Sequence, residues 1–220
     1  MNKGLKPIVF VGLIFLLTSV AFRSSAQHQW VLKTDEAGIQ LYTRTVSSSP
    51  YKALKTVCTL QTTLTSVAAV LLDVMRTPEW VYGTSSCSIL KQESPSVVYY
   101  YAEMGMPWPV ANRDFIVKIS MTQDPVTKVI TVLAENQPDF IPEKKKLVRI
   151  QNSSGKWQIA PLSDGRVRIE YQLFVDPGGS VPATLVNLFS GKGPFESFRN
   201  LKRQVALKEY RNANIPFILN

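Results

Sequence analysis

Between residues 86 and 175 the chain repeats one pattern seven times: a short run with an alternating face, then a turn. The runs cover residues 86–92, 96–104, 113–122, 128–135, 146–152, 156–162 and 166–175. Side chains in a strand alternate between the two faces of a sheet, so these runs demand a largely antipodal sorting of apolar and polar residues. The clearest is the last, where Val167, Ile169, Tyr171 and Leu173 face in while Arg166, Arg168, Glu170 and Gln172 face water. Turn residues part the runs, among them Glu93-Ser94-Pro95, Asp124-Pro125, Asn152-Ser153-Ser154-Gly155 and Ser163-Asp164-Gly165.

Other elements frame this block. Residues 30–38 read as a short lead-in, and strands at 38–46 and 51–60 flank the Ser47-Ser48-Ser49-Pro50 turn. Thr65 or Ser66 then caps a helix with Val67, Val70, Leu71 and Val74 at amphipathic spacing, and Pro78 stops it just before Trp80. After Asp176-Pro177-Gly178-Gly179-Ser180, Pro182 opens a helix with Leu185, Leu188 and Phe189 on its apolar side. Gly191-Lys192-Gly193-Pro194 interrupts it. A second segment runs to about residue 210 with Phe195, Phe198, Leu201 and Val205 on one stripe.

The first 26 residues have the form of an export signal. Lys3 and Lys6 give a basic start, residues 8–20 an apolar run, and Ser24-Ser25-Ala26 a small-residue cleavage site. Cleavage there leaves residues 27–220 as one domain, periplasmic or extracellular, with 22 basic against 16 acidic residues and a net charge of +6. That balance suits transient contact with anionic membrane surfaces, and export argues against nucleic acid. The only histidine is His28, beside the new terminus, which disfavours histidine-based triads and zinc sites. Cys58 and Cys87 are the only thiols. Export permits a disulfide between them, and both equally fit as buried free cysteines. No metal or cofactor is expected.

One stretch stands apart: Pro107-Trp108-Pro109-Val110-Ala111-Asn112-Arg113-Asp114-Phe115-Ile116. Two prolines around a tryptophan make its first half a loop. From Arg113 the strand alternation sets Arg113, Phe115, Val117, Ile119 and Met121 on one face and Asp114 on the other. A guanidinium among apolar side chains calls for a partner or a polar ligand, unless it snorkels to water. Glu103, at the end of the 96–104 run, is one available partner.

The motifs Asp73…Pro78-Glu79-Trp80, Pro107-Trp108-Pro109…Asn112-Arg113-Asp114-Phe115 and Asp176-Pro177-Gly178-Gly179-Ser180…Pro182…Asn187 together resemble START domains, the StAR-related lipid-transfer family. The likeness spans roughly residues 30–211. It implies an α+β helix-grip fold, a curved antiparallel sheet wrapped around a long C-terminal helix with an internal cavity for one lipid. It places Trp108 in the loop beside the cavity entrance and Leu185, Leu188, Phe189 and Phe198 in the lid helix. Some sterol-carrying members have an arginine six residues after the position of Arg113, where this chain has Ile119. The expected ligand-binding set is Glu103, Trp108, Arg113, Phe115, Val117, Tyr171, Leu185, Phe189 and Phe198. The leading expectation is a non-catalytic binder, and possibly transporter, of a lipid or other hydrophobic small molecule. The alternatives are a cyclase- or aromatase-like enzyme that works without histidine in the same cavity, through Glu103, Arg113, Tyr99 or Tyr101, and a ligand-free module.

Overall fold

The computed structural model describes Met1 and residues 29–183, 186–187 and 191–220. The expected export signal after Met1, His28, Leu185, Leu188 and Phe189 lie outside the described residues. The strands are β1 (Val31–Glu36), β2 (Ile39–Val46), β3 (Ser49–Leu60), β4 (Thr84–Ser94), β5 (Val97–Met104), β6 (Arg113–Gln123), β7 (Ile130–Asn136), β8 (Val148–Arg149), β9 (Asn152–Pro161) and β10 (Val167–Asp176). They form one sheet in the order β1-β2-β3-β10-β9-β7-β6-β5-β4, antiparallel at every step, with β1 and β4 as open edges.

Most elements fall where the alternation placed them, and several differ; β9, for one, runs through the turn expected at residues 152–155. Residues 31–36 form a strand rather than an irregular lead-in. Ala37 and Gly38, with φ of 51° and 69°, make the tight turn that pairs it with β2. Its side chains are mostly exposed, so no alternation advertised it. The expected strand at 146–152 shrinks to β8, which pairs parallel with the start of β6. The first helix, α1 (Leu64–Leu72), begins earlier than expected because Thr63 is its cap, its hydroxyl accepting from the Ser66 N–H at 3.1 Å. Pro78 does not stop it. A 3₁₀ turn (Val74–Arg76) intervenes, and Pro78 sits in the first turn of α2 (Thr77–Trp80), where a missing N–H costs nothing.

Gly193 and Pro194 likewise belong to the first turn of α3 (Lys192–Gln204), which α4 (Lys208–Arg211) follows. Val67, Val70 and Leu71 of α1 and Phe198 and Leu201 of α3 pack on Val98, Met121, Ile130, Val132, Trp157, Ile159 and Ile169 of the concave sheet face. Each such side chain, fully buried, stabilises the fold by about 1.5–3 kcal/mol. This is the solid half of the interior. Cys58 and Cys87 are free thiols on β3 and β4, six places apart in the sheet order. Burial pushes Cys58 up to about 12 and Cys87 up to about 11, so neither is a thiolate nucleophile near neutral pH.

Candidate functional site

Towards the other end of the concave face the inward side chains are only partly buried. Register places Tyr100, Phe115, Ala134, Tyr171 and Leu173 on the inward side, and each retains accessible surface. Tyr100 and Tyr171 are deep enough that burial pushes both phenols well above the ordinary tyrosine range. Tyr100, Phe115, Ala134 and Tyr171 border the packed core. An aromatic stack lies beside them. Trp157 lies 3.9 Å from Tyr171 (centroid to centroid, 17° between planes) and 5.5 Å from Phe198 (8°). Trp80 meets Trp157 edge-on at 6.2 Å, and Tyr100 meets Phe115 edge-on at 6.4 Å. Gly155 makes room for this arrangement, since a Cβ there would stand 3.2 Å from the Tyr171 hydroxyl and 3.1 Å from Ala134 Cβ.

At this end of the sheet Arg113 gathers two loops. The residue is only 2% exposed, and among the described residues its guanidinium has no acidic partner. It donates to the carbonyls of Pro177 (3.2 Å), Gly178 (3.1 Å) and Ala111, tying the 105–112 loop to the 177–180 loop. Burial lowers its pKa without displacing it from the charged form. Gly178 and Gly179 both have φ of 63°, a conformation that favours glycine, and they pass directly beneath Val148 and the Arg113 head. Nearby, Asn187 accepts from the Lys52 N–H at 3.2 Å and donates to the Pro50 carbonyl, and Tyr51 donates to the Val181 carbonyl at 3.3 Å. These bonds fasten the described residues after β10 to the start of β3.

Glu103 is not where a pair with Arg113 requires it. It stands opposite Asp114 in the β5–β6 register, while Arg113 stands opposite Met104, so the two side chains leave opposite faces of the sheet. Glu103 accepts from the Tyr101 hydroxyl (2.7 Å) and from Lys144 (3.0 Å) on the convex side. Those two bonds hold its carboxyl below the usual range. Tyr99 also faces outward, stacked on Phe140 at 4.9 Å. The acid that does form a buried pair is Asp114, held by Arg149 at 2.9 and 3.0 Å.

Of the other expected site residues, Phe115 and Tyr171 are half-buried on the inward face, and Val117 beside them is 6% exposed. Phe198, on α3, is buried to 1% against Trp157. Trp108 is 93% exposed at the tip of the loop that Arg113 anchors. Tyr100 and Trp157 were not anticipated. The signal for Tyr100 was its place between Val98 and Ala102 in the alternation, which gives it the inward face and Tyr99 and Tyr101 the outward one.

The sequence pattern of the START domain family matches residues 18–210. The chain is 31% identical over 173 residues to the uncharacterized protein PA1579 of Pseudomonas aeruginosa, covering 79% of this chain and 85% of that one. It is 28% identical over 171 residues to the phosphatidylcholine transfer protein of Rattus norvegicus, covering 74% and 78%. Among solved structures it is similar to the STAR-related lipid transfer protein of Xanthomonas axonopodis, with a TM-score of 0.75, 31% identity, and coverage of 81% and 99%. The human StAR-related lipid transfer protein 5 shares the fold at a TM-score of 0.68 and 16% identity, over 83% and 88%. The family match, the open antiparallel sheet and the helices on its concave face agree: this chain belongs to the START domain family.

Proposed function

We propose that the chain is an exported, non-catalytic carrier of a lipid, held in the space between the sheet and the residues following β10. The observation that carries this reading is the divided concave face: one half packed solid, the other carrying partly accessible apolar and aromatic side chains. Such a space holds ligands by burial, with a few polar groups setting orientation. The names of the rat and Xanthomonas relatives, both lipid transfer proteins, support it. Export rests on the basic, apolar and small-residue succession of residues 1–26.

Loading requires contact with a membrane, and Trp108 is the group placed for it. An indole this exposed, on a loop that Arg113 anchors, partitions favourably into the interfacial zone of a bilayer. The test is native mass spectrometry of the chain purified from its host, with vesicle flotation of wild type and Trp108→Ala. Retention of one lipid-sized mass, and weaker flotation of the variant, is the expected result. A chain that never retains a lipid from any vesicle contradicts the reading.

A further inference from the structure

Three consecutive lysines, Lys144-Lys145-Lys146, stand just before β8. Most such runs are solvated loops; this one is set apart by what it is bonded to. The Val148 N–H donates to the Asn112 carbonyl at 3.0 Å, and β8 then runs parallel with β6, Val148 beside Arg113. The Asn112 side chain accepts from the Met106 N–H at 3.0 Å, closing the base of the loop that carries Trp108. The Val110 N–H closes the tip by donating to the Pro107 carbonyl at 3.0 Å. The lysine run and the exposed indole therefore belong to one bonded surface, at the end of the sheet where Arg113 gathers its loops.

This surface carries unbalanced positive charge. Lys144 is paired with Glu103 at 3.0 Å. Lys145 and Lys146 are exposed and have no acidic partner among the described residues, which include all 16 acids of the chain. Glu143, the nearest acid in the chain, accepts from Gln151 at 2.9 Å. The 105–112 loop has no charged residue. Lys146 also holds a φ of 71°, a left-handed backbone that glycine adopts at less cost, so the lysine side chain stands there against a local penalty. An exposed indole beside uncompensated cations complements a surface that is apolar at one depth and anionic just above it.

We propose that this surface docks the chain on anionic bilayers, Trp108 entering the interfacial zone while Lys145 and Lys146 lie among negatively charged lipid headgroups. Docking of this kind is the loading step of the carrier reading, on which it rests.

The test floats the chain purified from its host with vesicles of dioleoylphosphatidylcholine alone, and of that lipid mixed in equal parts with dioleoylphosphatidylglycerol. Binding should favour the anionic vesicles, and raised salt should erase the preference. A lysine near a charged surface is worth roughly fivefold in partitioning, so Lys145→Gln/Lys146→Gln should bind anionic vesicles about 25-fold more weakly, its thermal midpoint unchanged. Lys145→Arg/Lys146→Arg should bind as the wild type does. Equal binding to both vesicles, or a glutamine variant that keeps the anionic preference, overturns the inference. So does capture by soluble polyglutamate without vesicle binding, which assigns the patch to an acidic protein. Native mass spectrometry of the same samples separates the two readings. A chain that docks through its lysines and retains no lipid contradicts the carrier reading and upholds the docking surface; lipid retention without anionic preference does the reverse.

Discussion

Asp114 accepts two hydrogen bonds from Arg149, at 2.9 and 3.0 Å, with both side chains 1% exposed. The same guanidinium donates to the carbonyls of Pro138, Ile141 (3.1 Å) and Pro142 (3.3 Å), so it gathers the 137–143 loop onto the convex side of β6. On the opposite face of the same strand end, Arg113 gathers the 105–112 and 177–180 loops. Two adjacent residues thus organise two sides of the sheet, one through an ion pair and one through carbonyls.

Removing one member of the buried pair leaves the other charged and unpaired. Arg149→Met or Asp114→Asn should destabilise the chain by about 3–5 kcal/mol, and the double replacement by less than the sum. Chemical denaturation of the two single variants and the double variant checks this. Additive losses would show that the pair is not coupled.

Arg113→Met should cost about 2 kcal/mol or more, since three loop carbonyls lose a charged donor. Because Glu103 is on the other face, Glu103→Gln should add to that loss within about 0.5 kcal/mol. A coupling larger than this, measured in the same cycle, would place the two side chains in contact.

A methyl group at Gly155 meets the Tyr171 ring and Ala134 at 3.1–3.2 Å. Gly155→Ala should therefore displace the Tyr171–Trp157 stack at a cost of about 1–3 kcal/mol and reduce lipid uptake. Near-ultraviolet circular dichroism reports the stack directly, and an unchanged aromatic signal would contradict the crowding.

Alkali should act through the buried phenols. Burial raises Tyr100 and Tyr171 above the ordinary value of about 10. A raised folded-state pKa contributes stability that is complete below the unfolded pKa and is lost as pH climbs through the folded one. The thermal midpoint should accordingly fall as pH rises past about 10, and fall less in the Tyr100→Phe/Tyr171→Phe variant. Melts between pH 8 and 11 test the sign.

The sheet was legible in the chain because strand alternation is a local rule. Val167, Ile169, Tyr171 and Leu173 declare their face without reference to any other segment, and the register bears them out. The same rule put Arg113 inward and Asp114 outward. The family likeness rested on short motifs whose geometry is also local: a proline-bounded loop, and a two-glycine turn with positive φ. Pairing between strands is not local. Whether Glu103 meets Arg113 or Asp114 depends on a one-residue register between β5 and β6, which no property of either strand alone specifies. The ion pair of Asp114 with Arg149 spans 35 residues and depends on where the 137–147 loop folds back. The depth of burial was likewise decided only in three dimensions. Tyr100 and Val98 share a face and a strand, yet Val98 is fully buried in the core and Tyr100 only partly buried against it.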